Sequence, residues 1–156
     1  LHLSIRRQRQ MCIRDRRNIT KRAEATMARG SSVVGPVVEL PAGLAGDLPD
    51  RPEEELREAA RRALLEETGY AATELRPLIT VASSAGLTDE CVTIFLAADP
   101  RKVGAGGGDE NEQITVHEVP LSEIDSWLEQ AVGRGVLIDG RVYAALYLLQ
   151  NTPGKK

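Results

Sequence analysis

Hydrophobic and polar positions follow strand-like and helix-like periods from residue 32 onward. Four Val-, Ile- and Leu-rich segments bounded by turn residues predict strands, at about 32–41, 75–82, 90–97 and 113–118. Three further segments predict helices, at about 51–68, 121–132 and 140–150. Strands mixed with helices on this scale indicate an α+β class, and 156 residues fit one globular domain.

The first predicted helix carries signals at both ends. Asp50 is a good N-cap residue, and Glu53 three positions later completes a capping box. Gly69, after Thr68, is a good C-terminal stop, since glycine adopts the left-handed conformation in which many helices end. The helix is therefore predicted to run from about Arg51 to Thr68.

One face of this helix is an apolar stripe that contains a carboxylate. At about 100° per residue, the stripe gathers Leu56, Ala60, Ala63 and Leu64, and Glu67 falls in its middle. A carboxylate buried without partners costs several kcal/mol. Glu67 is therefore expected to be paired with a cation, hydrogen-bonded or exposed at the helix end.

A second face holds charged residues at intervals of four, namely Glu54, Glu58, Arg62 and Glu66. On its own this pattern is typical of a solvated helix with i,i+4 ion pairs. The surrounding residues change the interpretation, because RRALLEETGY, with ELPAG upstream, resembles the loop–helix–loop box of Nudix hydrolases. The family pattern is Gly, five residues, Glu, seven residues, then Arg-Glu-apolar-x-Glu-Glu-x-Gly-apolar.

The chain departs from this pattern at two places. Ten residues separate Gly43 from Glu54, an insertion that a surface loop can absorb at small entropic cost. Ala63 replaces the first glutamate of the helical part. Two more segments resemble ADP-ribose pyrophosphatases of the family: SSAGLTDE, with Ala85 where proline is usual, and the acidic loop in GGDENEQITVHEVPL.

The resemblance implies roles for particular residues. Metal ligands would be Glu66, Glu67, Glu112 and the carbonyl of Ala42, while Glu110 would be the base and Arg62 with Glu54 a supporting ion pair. Gly43 and Glu90 would lie on the substrate side. The glycines between Gly104 and Glu112 would form a mobile hinge, although plain solvated charge also explains two carboxylates in a glycine-rich loop.

The implied fold is an α/β/α sandwich of Nudix type with a mixed sheet, which is expected to lack strands at its N-terminal end. The implied reaction is hydrolysis of the pyrophosphate in a nucleoside diphosphate linked to a sugar, above all ADP-ribose to AMP and ribose 5-phosphate, with Mg²⁺ or Mn²⁺ as cofactor. A homodimer is expected. Ala63 supports an alternative, a catalytically weakened domain that binds ADP-ribose or a nucleotide sugar without cleaving it.

Charge divides the chain into two parts. Residues 1–30 contain nine basic and two acidic residues, so the remainder, with 11 basic and 21 acidic, carries a net charge of −10. A basic arm without strand or helix period is typical of a disordered nucleic-acid-binding tail. However, SIRRQRQMCIRDR resembles translated sequencing-adaptor sequence. We therefore predict a non-native or disordered extension over residues 1–31, of which residues 1 to about 26 are dispensable, and a Nudix domain over 32–151.

Composition excludes several other classes. Cys12 and Cys91 lie far apart without metal-type spacing, so neither a disulfide framework nor a zinc site is predicted. The apolar runs are far shorter than the roughly 20 residues that cross a bilayer, and no signal peptide is evident. A cytoplasmic protein without nucleic-acid or membrane partners is expected, its acidic domain suited to attracting divalent cations.

Overall fold

The computed structural model describes residues 2–3, 10–16, 36–46, 49–50, 52–108 and 114–151. Nine strands and three helices lie in these ranges: β1 (His2–Leu3), β2 (Gln10–Arg16), β3 (Val37–Glu39), α1 (Leu56–Thr68), β4 (Tyr70–Ala71), β5 (Glu74–Ala82), β6 (Cys91–Ala98), β7 (Arg101–Lys102), β8 (Ile114–Pro120), α2 (Ile124–Gly133), β9 (Leu137–Ile138) and α3 (Gly140–Asn151).

The strands form mixed sheets, as predicted. A four-stranded sheet has the order β8–β2–β3–β9, with β2 antiparallel to both neighbours and β3 parallel to β9. A three-stranded sheet has the order β1–β6–β5, in which β6 pairs antiparallel with β5 and parallel with β1. The short strands β4 and β7, which the sequence did not predict, pair antiparallel beside the end of α1.

Strand β6 is buried on both faces, which gives the molecule three layers. Successive side chains of a strand point to opposite faces. Ile94 and Leu96 accordingly pack with α2 and α3, whereas Ala97 packs with Leu64 of α1 and Leu75 of β5. The structure thus confirms the α+β sandwich, and two-sided burial explains why the predicted strand at 90–97 alternates poorly.

Strand β2 contradicts part of the interpretation of the N-terminal segment. We predicted no regular structure there, yet residues 10–16 pair along their length with β8 and partly with β3. Strand formation depends on pairing with neighbouring strands more than on the segment's own periodicity, which is why the basic sequence gave no signal. The boundary at residue 31 and the origin of the segment stay predictions.

Helix α1 begins later than its capping signals indicate. Asp50 and Glu53 lie in a turn, and Glu55 is the N-cap, so the predicted capping box was wrong. The reason is Glu54, whose carboxylate bonds the Arg62 guanidinium at 2.9 Å. Positions eight residues apart on a continuous helix lie about 12 Å apart along its axis, so the chain must leave the helix to form this contact.

The C-terminal stop of α1 is confirmed. Gly69 adopts φ 73°, and its N–H donates to the carbonyl of Leu65 at 2.8 Å. The strands predicted at 75–82, 90–97 and 113–118 and the last two helices are also confirmed to within a few residues. In the described part of the chain no helix combines the length and apolarity that crossing a membrane requires.

Candidate active site

Arg62 joins α1 to the two segments before it. Its Nε and Nη2 donate to the two carboxylate oxygens of Glu54 at 3.2 and 2.9 Å, and Nη2 also donates to the carbonyl of Leu44 at 3.1 Å. Glu54 is only 3% exposed at its side chain and Arg62 17%. The planar guanidinium matches a carboxylate in two-point contact, so this pair fixes the orientation of α1 relative to the turn at 40–45.

Glu67 is buried and hydrogen-bonded, one of the three outcomes expected from its place in the apolar stripe. Its residue exposure is 7%, and one carboxylate oxygen accepts a hydrogen bond from the N–H of Ala42 at 3.2 Å. Glu66, one residue earlier, is largely exposed, and its carboxylate lies 3.6 Å from Nη1 of Arg62. The C-terminal end of α1 therefore presents one buried and one exposed carboxylate, and the buried one contacts the turn at 40–45.

The end of α1 is capped by the glycine-rich segment that follows β7. The last four carbonyls of a helix lack partners within it. Here the N–H groups of Gly107 and Gly108 donate to the carbonyls of Glu67 and Glu66 at 2.8 and 3.1 Å. Lys102 donates from Nζ to the carbonyl of Thr68 at 2.8 Å. The turn that carries both carboxylates is thus held from outside the helix.

Two glycines make this contact sterically possible. A Cβ on Gly106, which has φ 70°, would lie 2.4 Å from the carbonyl carbon of Thr68. A Cβ on Gly69 would lie 2.2 Å from the carbonyl oxygen of Gly104. Gly104 to Gly108 therefore form a backbone cap on α1, and their role as a mobile hinge stays a prediction.

Ala63, where the chain departs from the family pattern, faces the turn at 40–45. It is 3% exposed, and a Cβ built on Gly43 would lie 3.1 Å from the Cβ of Ala63. The structure thus brings the position of the missing glutamate beside Gly43 and one turn before Glu67. Glu58 lies elsewhere, pairing with Arg61 at 3.5 Å on an exposed part of the helix.

A cavity of about 410 Å³ opens next to this turn. Its walls are the turn at 40–45, the apolar stripe of α1 and strand β6. Glu90, predicted on the substrate side, lines it together with Arg141, a residue that the sequence analysis did not single out. Cavities of this size, apolar with a few polar groups, are typical of small-molecule sites, which bind ligands in about 300–1,000 Å³.

The remaining predicted site residues, Glu110 and Glu112, lie outside the described residues. Within the described ranges, no group of three or more Asp, Glu, His or Cys side chains could hold a metal ion. Glu66 and Glu67 nevertheless offer hard oxygen donors of the kind that Mg²⁺ takes, since that ion is usually bound by one or two carboxylates and keeps several waters. The donor chemistry of this turn fits Mg²⁺ or Mn²⁺.

Comparison with known proteins identifies the family to which the chain belongs. The NUDIX domain profile matches residues 12–140. The chain belongs to the NUDIX family. GDP-mannose pyrophosphatase of Escherichia coli strain SMS-3-5 is 35% identical over 130 residues, 82% of this chain and 62% of the relative. The homologue of Shigella boydii serotype 4, with the same name, is also 35% identical over 130 residues, with the same coverage of both chains.

These NUDIX relatives are longer than the matched region, since the chain spans about 62% of their length. A solved structure described as an ADP compounds hydrolase superposes with a TM-score of 0.59 at 22% identity, covering 95% of this chain and 68% of its own. At that identity the superposition concerns the fold, and it agrees with the NUDIX sandwich.

Sequence reasoning missed the backbone cap on α1, including Lys102, and it missed Arg141 in the cavity. Lys102 lies 4.8 Å from the ring centre of Tyr70, whose hydroxyl donates to Glu118. This chain of contacts ties β7, the end of α1 and β8 together. A lysine in a strand of two residues carries no recognisable pattern. Arg141, at the start of α3, likewise has no signal in its own segment.

Proposed function

We propose that this chain hydrolyses the pyrophosphate of a nucleoside diphosphate linked to a sugar and requires a divalent cation. The observation that carries the proposal is the buried carboxylate of Glu67, accepting from Ala42 beside Glu66 at the last turn of α1. Burying a carboxylate is costly, and a bound cation compensates for that cost. The NUDIX relatives support it, since they are named pyrophosphatases.

Glu66, Glu67 and the Ala42 carbonyl would hold Mg²⁺ or Mn²⁺, and Glu112 would add a ligand from outside the described residues. The cation would neutralise phosphate charge and acidify a bound water. The residues of this chain orient the carboxylates that would hold the cation. Arg62 and Glu54 fix α1 against the turn at 40–45, and the glycine cap fixes the turn that bears both carboxylates. Glu110 stays the proposed base.

Two substrates are candidates within this class. ADP-ribose, yielding AMP and ribose 5-phosphate, follows from the resemblance of the turn that ends at Glu90 and of the acidic loop to ADP-ribose pyrophosphatases. GDP-mannose is favoured by the relatives at 35% identity, which are named GDP-mannose pyrophosphatases. We also propose a homodimer and a cytoplasmic location. Light scattering and fractionation of the source cells test these two.

Product analysis over a panel of nucleotides tests the proposal. GDP-mannose, ADP-ribose, dinucleotides and nucleoside triphosphates are incubated with the protein, with Mg²⁺, Mn²⁺ or a chelator, and products are separated by ion-exchange chromatography. Nucleoside monophosphate and sugar phosphate are expected, with chelator abolishing both. Cleavage of triphosphates alone would contradict the substrate class. Metal-dependent binding of a nucleotide sugar without products would favour the non-hydrolysing domain.

A further inference from the structure

The cavity beside the turn at 40–45 has charged side chains only at Glu90 and Arg141 among the residues that line it. The rest of the wall is predominantly apolar, from Leu40 in the turn to Leu64 in α1 and Ile94 in β6. Both line the cavity, and the pKa of Arg141 is raised above its ordinary value first by its hydrogen bond with Asp139, with the charges of Asp139, Glu39 and then Glu90 acting in the same direction. The cavity is therefore apolar with one charged end.

Asp139 holds the guanidinium of Arg141 in a fixed plane. Nε of Arg141 donates to Oδ1 at 2.8 Å, Nη2 donates to Oδ2, and the backbone N–H of Arg141 donates to Oδ1 at 2.7 Å. Asp139 is itself anchored, since its N–H donates to the carbonyl of Val38 in β3 at 2.9 Å. An arginine oriented in this way recognises a ligand at a low cost in side-chain entropy.

This distribution of polarity suits a nucleobase better than a sugar. A base has two apolar faces and a polar edge, whereas the hydroxyls around a sugar would lie against apolar walls without hydrogen-bond partners. Ala42 and Gly43 line the cavity, and Ala42 also contacts Glu67. A nucleoside in the cavity can therefore direct its phosphates toward the carboxylates of α1.

We propose that this cavity is the nucleobase subsite and that Arg141, held by Asp139, recognises guanine together with Glu90. Guanine offers the acceptors O6 and N7 to an arginine and donors to a carboxylate, whereas adenine places a donor amino group where guanine has O6. Adenine would leave a donor facing a donor, which disfavours it. The inference rests on the proposed function for the substrate class, but base binding is measurable without turnover.

Cys91 provides the reporter. This exposed thiol lines the cavity next to Glu90. The full chain is alkylated with iodoacetamide in chelator, and peptide mass spectrometry follows Cys91 separately from Cys12. We expect GMP to slow modification of Cys91 at lower concentration than AMP, and mannose 1-phosphate or ribose 5-phosphate not to slow it. Equal protection by GMP and AMP, protection by a sugar phosphate alone, or none by millimolar GMP would overturn the inference.

Arg141→Gln is the matching variant, and Arg76→Gln is its control. Arg76 forms the same two-point contact with an acid two residues away, Glu74, at 2.9 and 3.0 Å, but lies outside the cavity lining. Arg141→Gln should weaken GMP protection by about tenfold and reduce the preference over AMP, since a two-point contact with a base discriminates at that level. Arg76→Gln should leave both unchanged.

Arg141→Lys keeps the fold testable if the glutamine variant is unstable, because lysine retains the charge beside Asp139. It should still lose discrimination between GMP and AMP, since an ammonium group lacks the planar fork. Unchanged discrimination in a folded Arg141 variant would contradict a role in base recognition. These protection assays contain no metal, so they can support the nucleobase subsite even if no nucleotide is hydrolysed. Hydrolysis could likewise be observed even if GMP gave no protection.

Discussion

The carboxylate of Glu54 is the best example of a single residue that determines local structure. With 3% of its side chain exposed, it shares two hydrogen bonds with Arg62 and draws the chain out of the helix that Asp50 and Glu53 would otherwise start. Removing one member of a buried, hydrogen-bonded charge pair costs more than removing an exposed one, because the other charge loses its compensation.

Glu54→Gln should therefore lower the free energy of unfolding by about 1–3 kcal/mol, the cost of disturbing a hydrogen bond to a charged group. Glu74→Gln is the control, because Glu74 makes the same two-point contact with Arg76 while more than half exposed. Glu74→Gln should leave the free energy of unfolding almost unchanged. Chemical denaturation of both variants measures the difference, and equal effects would mean that the Glu54–Arg62 pair is not structurally important.

Ala63 lies beside Gly43 and one turn before Glu67, so a glutamate there would place its carboxylate near the proposed metal site. Ala63→Glu should lower the melting temperature without metal, because two neighbouring carboxylates repel in a partly buried place. With Mg²⁺ it should raise turnover by about tenfold, the usual effect of an additional group supporting a metal site. Melting and turnover across a Mg²⁺ titration separate the two effects. A variant altered in neither would show that position 63 is not at the site.

At the scale of elements, the glycine cap on α1 connects the fold to the proposed chemistry. Gly106→Ala should lower stability and turnover together, because its Cβ would collide with Thr68 and displace the backbone that holds the carbonyls of Glu66 and Glu67. Gly135→Ala, after α2 and away from the site, has the same type of positive φ, at 80°, but its Cβ would meet no atom within 4 Å. This control substitution should lower the free energy of unfolding only by the conformational strain, about 1–2 kcal/mol, and should leave turnover unchanged. Similar losses of stability and turnover at both positions would mean that the cap is only a strained turn and does not hold the carbonyls of α1.

Sequence reasoning succeeded where the determinant is local. Gly69 ends α1 because the left-handed conformation is a property of that residue. The position of Glu67 in an apolar stripe indicated a cation, a hydrogen bond or exposure at the helix end, and the structure shows a hydrogen bond. It failed where the determinant is distant in sequence. Strand β2 depends on pairing with β8, and the charged residues of the cavity, Glu90 and Arg141, come from segments about 50 residues apart. No window of sequence contains both partners of these contacts.

At the scale of the whole molecule, β2 changes the expectation for the N-terminus. Composition predicted that residues 1–26 are dispensable, but β2 lies between β8 and β3, and deleting it would leave two unpaired strand edges. Such edges favour aggregation. Deletion of residues 1–16 should therefore lower the melting temperature and increase aggregation, whereas deletion of 1–9 should have a smaller effect. If both truncated proteins were as stable as the full chain, the N-terminal segment would be a dispensable extension, as its composition predicted.

Glu67 and the turn at 40–45 are proposed to form a metal-dependent pyrophosphatase site. The most direct measurement compares Glu67→Gln with Glu58→Gln in turnover of GDP-mannose and ADP-ribose across a Mn²⁺ titration. Glutamine at 67 keeps an acceptor for the Ala42 N–H, so the fold should persist while turnover falls by at least a hundredfold, as for a lost electrostatic group. Glu58 is exposed and pairs only weakly with Arg61, so Glu58→Gln should retain activity. Equal turnover by both variants, or loss of turnover at Glu58 alone, would mean that Glu67 has no role in holding the metal.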